Sequence, residues 1–177
     1  MAELEAGLPE IRRSPRDEGR LEMIVSRPRT GEREILERAE LDIELGLVGD
    51  NWQARGSSMT ENGAAHPEMQ LNLMSSRAIE LIAAERSRWQ LAGDQLFVDL
   101  DLSGENLPPG TRLAIGSAII EVTAEPHTGC KKFVDRFGLE AMKFVNSPMG
   151  RELNLRGINA KVVKAGTVVV GDVINKQ

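Results

Sequence analysis

Leu113-Ala114-Ile115-Gly116-Ser117-Ala118-Ile119-Ile120-Glu121-Val122-Thr123 decides the fold of this 177-residue chain. Its two apolar runs are too short for helices, and Gly116-Ser117 supplies a turn between them, so the stretch reads as two short strands. Pro126 and Gly129 then stop any regular element. The single cysteine of the chain follows at once, in Glu125-Pro126-His127-Thr128-Gly129-Cys130-Lys131-Lys132. Cys130 is therefore expected on a loop at a strand end. The next residues, Lys131 to Gly138, read as a short helix closed by glycine. That places the thiol near a helix N-terminus, with Lys131, Lys132 and His127 close by, and all of these favour a thiolate. The alternative, a small buried hydrophobe, is common for free cysteine and stands beside the reactive reading.

Outward from this stretch the pattern is one of many short strands. Leu21 to Val25 reads as one, and the alternation of Ile35, Ala39, Leu41, Ile43 and Leu45 as a second, longer one, with Arg27-Pro28-Arg29-Thr30-Gly31 between them. Residues 51–67 are small, polar and aperiodic, as in a long surface loop. After a short strand around 70–73, Ser75 or Ser76 can cap a helix whose apolar face is Ala78, Ile79, Ile82, Ala83 and Trp89. Residues 95–100 form another strand, and Pro108-Pro109-Gly110 a turn. Leu139 to Val145 and Met149 to Leu153 read as helices broken at Ser147-Pro148, and the valine-rich C-terminus as a β-hairpin around Lys164-Ala165-Gly166. The sum predicts a mainly β fold, a closed or partly closed barrel with several short peripheral helices. Residues 1–19 read as an N-terminal extension with room for mobility, and 20–177 as one domain.

Composition narrows function. Net charge is −5, aromatic residues are 3% of the chain and tyrosine is absent, so the basic field and stacking platform of a nucleic-acid binder are missing. Arg12, Arg13, Arg16 and Arg20 alternate with Asp17, Glu18 and Glu22, as on a solvated mixed-charge surface. One cysteine excludes an internal disulfide framework. No apolar run approaches the ~20 residues of a membrane span, and the acidic start Met1-Ala2-Glu3-Leu4-Glu5 is unlike a secretory signal. A cytoplasmic protein is expected, with no nucleic-acid or membrane partner. Two histidines and one cysteine without a carboxylate cluster make a protein-ligated zinc site improbable.

Four blocks in order resemble the MOSC domain, named for the C-terminal part of molybdenum cofactor sulfurases: Gly46-Leu47-Val48-Gly49-Asp50-Asn51-Trp52, the turn and strand Leu107 to Gly116, the position of Cys130 past a strand ending in Val-Thr, and Arg156-Gly157-Ile158-Asn159 followed by Gly171-Asp172. The resemblance spans roughly residues 20 to 175. It implies a β-barrel-like core and an association with the molybdenum cofactor, a pterin dithiolene bearing a phosphate. Cys130 would either carry sulfur as a persulfide or ligate molybdenum directly, and both roles need a thiolate. Arg77, Ser76, Thr128, His127, Lys131 and Arg156 are then the candidate cofactor-binding residues, with Arg77 and the helix start at Ser76 offering a phosphate site. Asn154 is a further polar group that could reach the cofactor. Gly49-Asp50 and Gly171-Asp172 read as turn formers.

The chain also departs from the pattern. Family members that reduce N-hydroxylated compounds carry an arginine where this chain has Ala92-Gly93-Asp94-Gln95, and the aspartate there opposes a bound phosphate. The N-terminal barrel of those reductases and the pyridoxal-phosphate domain of eukaryotic sulfurases have no counterpart in these residues. The implied roles are a stand-alone sulfur carrier working with a cysteine desulfurase or a molybdoenzyme, a molybdenum-dependent reductase, or a binding module whose cofactor site has decayed.

Overall fold

The computed structural model describes residues 1–177, and its centre is a closed seven-stranded barrel. The strands are β1 (Glu18–Ser26), β5 (Leu71–Ser75), β6 (Leu96–Asp99), β7 (Arg112–Ile115), β8 (Ala118–Val122), β9 (Ile158–Lys164) and β11 (Val173–Lys176). Around the barrel the order is β11-β7-β8-β9-β5-β6-β1, closed by β1 pairing with β11. The opening sequence stretch is the β7–β8 hairpin, with Ile115 opposite Ala118. All pairs are antiparallel except β5 with β6. These two are joined by helix α4 (Ser76–Ala83) and a 3-10 segment, Arg86–Ala92, because a parallel neighbour requires a crossover.

Helices cover one outer flank of the barrel, which explains the unbroken apolar runs in β5 and β6. Leu71, Leu73, Leu96 and Val98 point into the barrel core. Met74 and Phe97 point outward, onto Ala78, Ile79 and Trp89. In β1 a bulge between Leu21 and Met23 changes the face. Leu21 is thus inside the barrel while Met23 packs under the helices. Two short helices, α1 (Ala2–Ala6) and α2 (Leu8–Ile11), lie on this flank and bury Ile11. No helix is long and apolar enough to cross a membrane.

Three sequence-based expectations change. The long alternating strand is two, β2 (Glu34–Leu36) and β3 (Arg38–Asp42), since β2 pairs with β1 while β3 joins a separate sheet with β4 (Gly46–Leu47) and β10 (Gly166–Val169). The C-terminal hairpin is absent: both edges of β9 are taken by β5 and β8, so β10 pairs with β3 and β11 closes the barrel. Trp89 belongs to the 3-10 segment, because Ala84 ends α4 in a left-handed conformation at φ 63°. The remaining helices are α3 (Trp52–Arg55), α5 (Lys131–Asn146) and α6 (Pro148–Glu152). Gly138, at φ 85° and ψ 168°, breaks α5 where the sequence places a helix end.

Candidate functional site

Cys130 is exposed and caps the N-terminus of α5, its carbonyl accepting from Phe133 N at 2.9 Å. The preceding loop is clamped from the far end of the same helix. Asn146 accepts from Gly129 N through Oδ1 at 3.0 Å and donates through Nδ2 to Gly129 O at 3.3 Å. The thiol is thus held on a fixed loop at the rim of a cleft of about 230 Å³.

The floor of this cleft is a buried polar network. Asp50, fully buried, accepts from Arg27 Nε at 2.8 Å and Nη2 at 2.7 Å, and from Trp52 N at 3.0 Å. Arg27 also donates through Nη1 to Asn72 Oδ1 and to Gly93 O, each at 3.0 Å. Asn72 in turn donates to Asn159 Oδ1 at 2.6 Å, and Asn159 Nδ2 to Glu125 O at 3.0 Å. The chain of bonds runs from the 46–52 block to the loop that carries Cys130. A buried arginine saturated in this way cannot reorient, which makes Asp50 more than a turn former. Gly157 sits beside this network because at φ 111° an added Cβ would strike Leu73 O.

The second anchored cation is Arg156. Its Nη1 donates to Asp94 Oδ2 at 2.7 Å, its Nη2 to Ala92 O at 3.0 Å, and its guanidinium lies 5.0 Å from the Phe133 ring centre. Asp94 also accepts from His127 Nε2, at 2.8 Å. Burial pushes the Asp94 carboxyl up, but Arg156 and His127 more than offset it and hold its pKa at about 2. His127 is pushed below the ordinary imidazole range, first by burial and then by Arg156, against the pull of Asp94. The imidazole is therefore neutral near pH 7, with Nε2–H directed at Asp94 and Nδ1 left as an acceptor.

Around these anchored groups stand cations without anions. Arg33, Arg55, Lys132 and Arg136 line the same cleft, and none of them forms a salt bridge. Arg136 reaches only Leu91 O, at 2.6 Å, and Arg33 only Glu32 O, at 2.6 Å. Nε of Arg33 and Nε of Arg156 are buried with no partner. Arg33 is held below the ordinary guanidinium range by burial and then by Arg136 and Arg27, and Arg55 by burial and then by Arg27. Like charges gathered in a partly desolvated hollow of an acidic protein repel one another, and a bound anion would relieve that repulsion.

Of the residues chosen from sequence, Cys130, His127 and Arg156 meet in this cleft. Thr128 and Lys131 are exposed and do not line it; Lys132 does. Arg77 and Ser76 are placed elsewhere, in a hollow on the helical flank. There Arg77 donates to Asp99 at 2.7 Å and to Glu10 at 2.9 Å, and the helix cap is Ser75, whose Oγ accepts from Ala78 N. Asn154 faces away and donates to Leu102 O. Gly171-Asp172 is a turn as read, Asp172 accepting from Val169 N at 2.8 Å. Sequence reading missed Arg27, Arg33, Arg55 and Arg136. Their one sequence trace is that three lie in the breaker and loop segments leaving the strands, and the fourth in the helix behind Cys130.

Comparison with known proteins bears on the family and the fold. Residues 60–175 match the family model described as "MOSC domain". The fold is similar to that of the YUAD protein from Bacillus subtilis, with TM-score 0.62 and 18% identity over 90% of this chain and 97% of that one. It is similar to YiiM from Escherichia coli, with TM-score 0.56 and 20% identity over 89% and 69%. It is also similar to YiiM from Geobacillus stearothermophilus, with TM-score 0.58 and 11% identity over 90% and 75%. At these identities the likeness is one of fold. A search of curated proteins finds no match.

Proposed function

This chain belongs to the MOSC domain family, and from that premise we propose that it binds the molybdenum cofactor in the cleft beside Cys130, with the Cys130 thiolate as the soft donor there. The observation that carries the reading is that one cleft gathers the only thiol of the chain and four cations lacking carboxylate partners. The residues fit the group. Arg33, Arg55, Lys132 and Arg136 suit the phosphate, and a cysteine sulfur at the rim suits a thiophilic metal. Bound cofactor would supply that metal; binding, orientation and proton handling belong to the chain. Arg27 and Arg156, fixed by Asp50 and Asp94, act as rigid positive walls. The neutral His127, held in one tautomer by Asp94, lines the cleft beside Arg156. Asp94, which by sequence opposes a phosphate, has its charge balanced by Arg156 and accepts a hydrogen bond from His127, so the pair presents no net negative charge to an anion.

The exposure of Cys130 favours a second use of the same thiol, as a sulfur carrier. Its thiolate would attack the outer sulfur of a donor persulfide; the donor S–S bond breaks, the donor leaves as a thiolate, and Cys130 keeps the transferred sulfur as its own persulfide. A cysteine desulfurase is the class of protein that provides such a donor.

Expression in a cofactor-producing host followed by metal and pterin analysis tests the first use. Stoichiometric molybdenum and pterin are expected in the parent protein and neither in Cys130→Ser. Mass spectrometry after incubation with a cysteine desulfurase tests the second, by the gain of one sulfur atom on Cys130. Protein that holds neither cofactor nor added sulfur would rule the reading out.

A further inference from the structure

A second hollow, of about 430 Å³, opens beside the Cys130 cleft and shares with it a wall formed by Arg27, Arg33, Arg55, Lys132 and Arg136. Arg29 and Asp135 complete its charged lining, and none of the ten residues that line it is hydrophobic. Small-molecule sites are lined mainly by apolar and aromatic groups, and single-stranded nucleic acid needs aromatic faces to stack on; this hollow has neither. What it offers is arginine, the charged residue enriched in protein interfaces. Arg27 is answered by Asp50, and Arg29 lies 3.6 Å from Glu32 on the open surface, while Arg33, Arg55, Lys132 and Arg136 form no ion pair. A phosphate monoester carries about two negative charges at most, so this wall keeps a positive excess even with a cofactor phosphate in the inner cleft.

The hollow is also placed for sulfur transfer. Cys130 is the N-cap of α5, and Lys132, Asp135 and Arg136 stand on the first two turns of that helix. A donor persulfide must bring its outer sulfur into contact with the Cys130 sulfur, so the donor protein has to cover the surface around that residue. We propose that the outer hollow is the docking site for an acidic segment of the protein that exchanges sulfur with Cys130. The proposal rests on the sulfur-carrier reading of Cys130 and adds to it the surface and the charge of the partner. Arg29 is the outermost contact, 81% exposed, on a turn in which Glu32 N donates to Arg29 O at 3.1 Å and Gly31 takes a φ of 85°. Carboxylates of the segment pair with Arg29 and with the shared wall, where they relieve the repulsion among its cations and steer the partner toward the thiol. Asp135, the one carboxylate lining the hollow, is outnumbered.

The test is fluorescence anisotropy of a labelled Glu-Asp-Gly repeat peptide titrated with the whole chain, for the parent, Arg29→Glu and Arg13→Glu. Arg13 is 75% exposed and lines neither hollow, so Arg13→Glu makes the same change of net charge away from the site. The parent is expected to bind the peptide. Arg29→Glu should bind it about tenfold or more weakly, the factor of one charge-assisted hydrogen bond, and Arg13→Glu within about twofold of the parent, as a screened change of distant charge does. Bound peptide should also slow alkylation of Cys130 by iodoacetamide, because it lies beside the thiol. Absence of binding to the parent, equal losses in the two variants, unchanged alkylation, or tighter binding of an oligouridylate of matched charge would each overturn the proposal. None of these readings uses persulfide or molybdenum content, so failure of the carrier reading and failure of the docking site are distinguishable.

Discussion

The hollow on the helical flank and the cleft beside Cys130 are both lined by arginine, and they differ in what answers the charge. On the helical flank, Arg77 is met by Asp99 and Glu10, and Arg86 lies 3.6 Å from Glu22 while stacking on Trp89 at 4.6 Å. Beside Cys130, Arg33, Arg55, Lys132 and Arg136 form no ion pair, and the two arginines that do are locked below them. In the first hollow the charges are used up within the chain. In the second they are left over, and four unanswered cations in one cleft of a chain of net charge −5 are what the proposed anion site rests on. An arginine count alone would not separate the two places; partner counting does.

The sharpest way to break this comparison is to remove one carboxylate from each hollow. Asp94→Asn leaves Arg156 buried without its anion and should cost about 3–5 kcal/mol in denaturant unfolding. Asp99→Asn opens a pair whose side chains are 24% and 29% exposed and should cost about 1 kcal/mol or less. If the two losses are equal, Asp94 is not the structural key of the cleft.

Acid sharpens the same contrast. His127 has a folded-state pKa below its ordinary 6.5, so the unfolded chain binds the proton first and stability begins to fall as pH drops below that value. Asp94, lowered from 3.8 to about 2, contributes stability that is complete above 3.8 and is lost as pH falls through about 2. Together these should take about 2 kcal/mol or more from the protein between neutral and strongly acid pH. Measured by urea unfolding across pH, His127→Gln should abolish the upper part of the slope and leave the share of the lower part that Arg156 supports. A slope that begins only below pH 4 in the parent would show that His127 is not held neutral by its surroundings.

How far the sequence reaches follows from the same distinction. Local chemistry is legible: the β7–β8 turn at Gly116-Ser117, the break at Gly138, the break at Ser147-Pro148, and Cys130 on a loop before a helix each depend on neighbours a few residues away. The barrel closure was legible only as a class, since which strand pairs with β9 depends on which edges are already taken. The cap at Ser75 is real, yet what faces that helix start is Asp99 from β6, a tertiary fact with no local trace. The pairing of Asp94 is hidden for the same reason. Its partner Arg156 lies 62 residues away, and a lone aspartate in sequence carries no sign that its charge is already absorbed. The unpaired arginines were invisible because an absence of partners can be read only in three dimensions.

A smaller effect, of opposite sign, distinguishes the hollows further. Arg33 is repelled by Arg136 and Arg27 in a partly desolvated place, so Arg33→Met should stabilise the ligand-free protein by about 1 kcal/mol, as replacements at functional sites often do. Arg77→Met removes two ion pairs and should destabilise by up to about 1 kcal/mol. Added phosphate should raise the unfolding midpoint of the parent and of Arg77→Met alike, because mass action stabilises whatever binds it, and should raise that of Arg33→Met less. Thermal unfolding with and without phosphate reads all three; a destabilised Arg33→Met would mean that its charge is answered after all.

The smallest effect on stability belongs to the residue with the largest expected effect on function. Cys130 is exposed, and what fixes its loop is Asn146 on the backbone of Gly129 rather than any contact of the sulfur. Cys130→Ser should therefore unfold within about 0.5 kcal/mol of the parent, the range of surface substitutions. The same variant should retain no molybdenum and accept no sulfur, because a hydroxyl is a poor soft donor and does not form a persulfide. Asn146→Ala gives the complementary case: the thiol is kept but its loop loses two hydrogen bonds, so sulfur acceptance should slow without disappearing. Should Cys130→Ser lose several kcal/mol instead, the sulfur would be packed rather than presented, and the cleft would lose the one group that distinguishes it from a simple anion site.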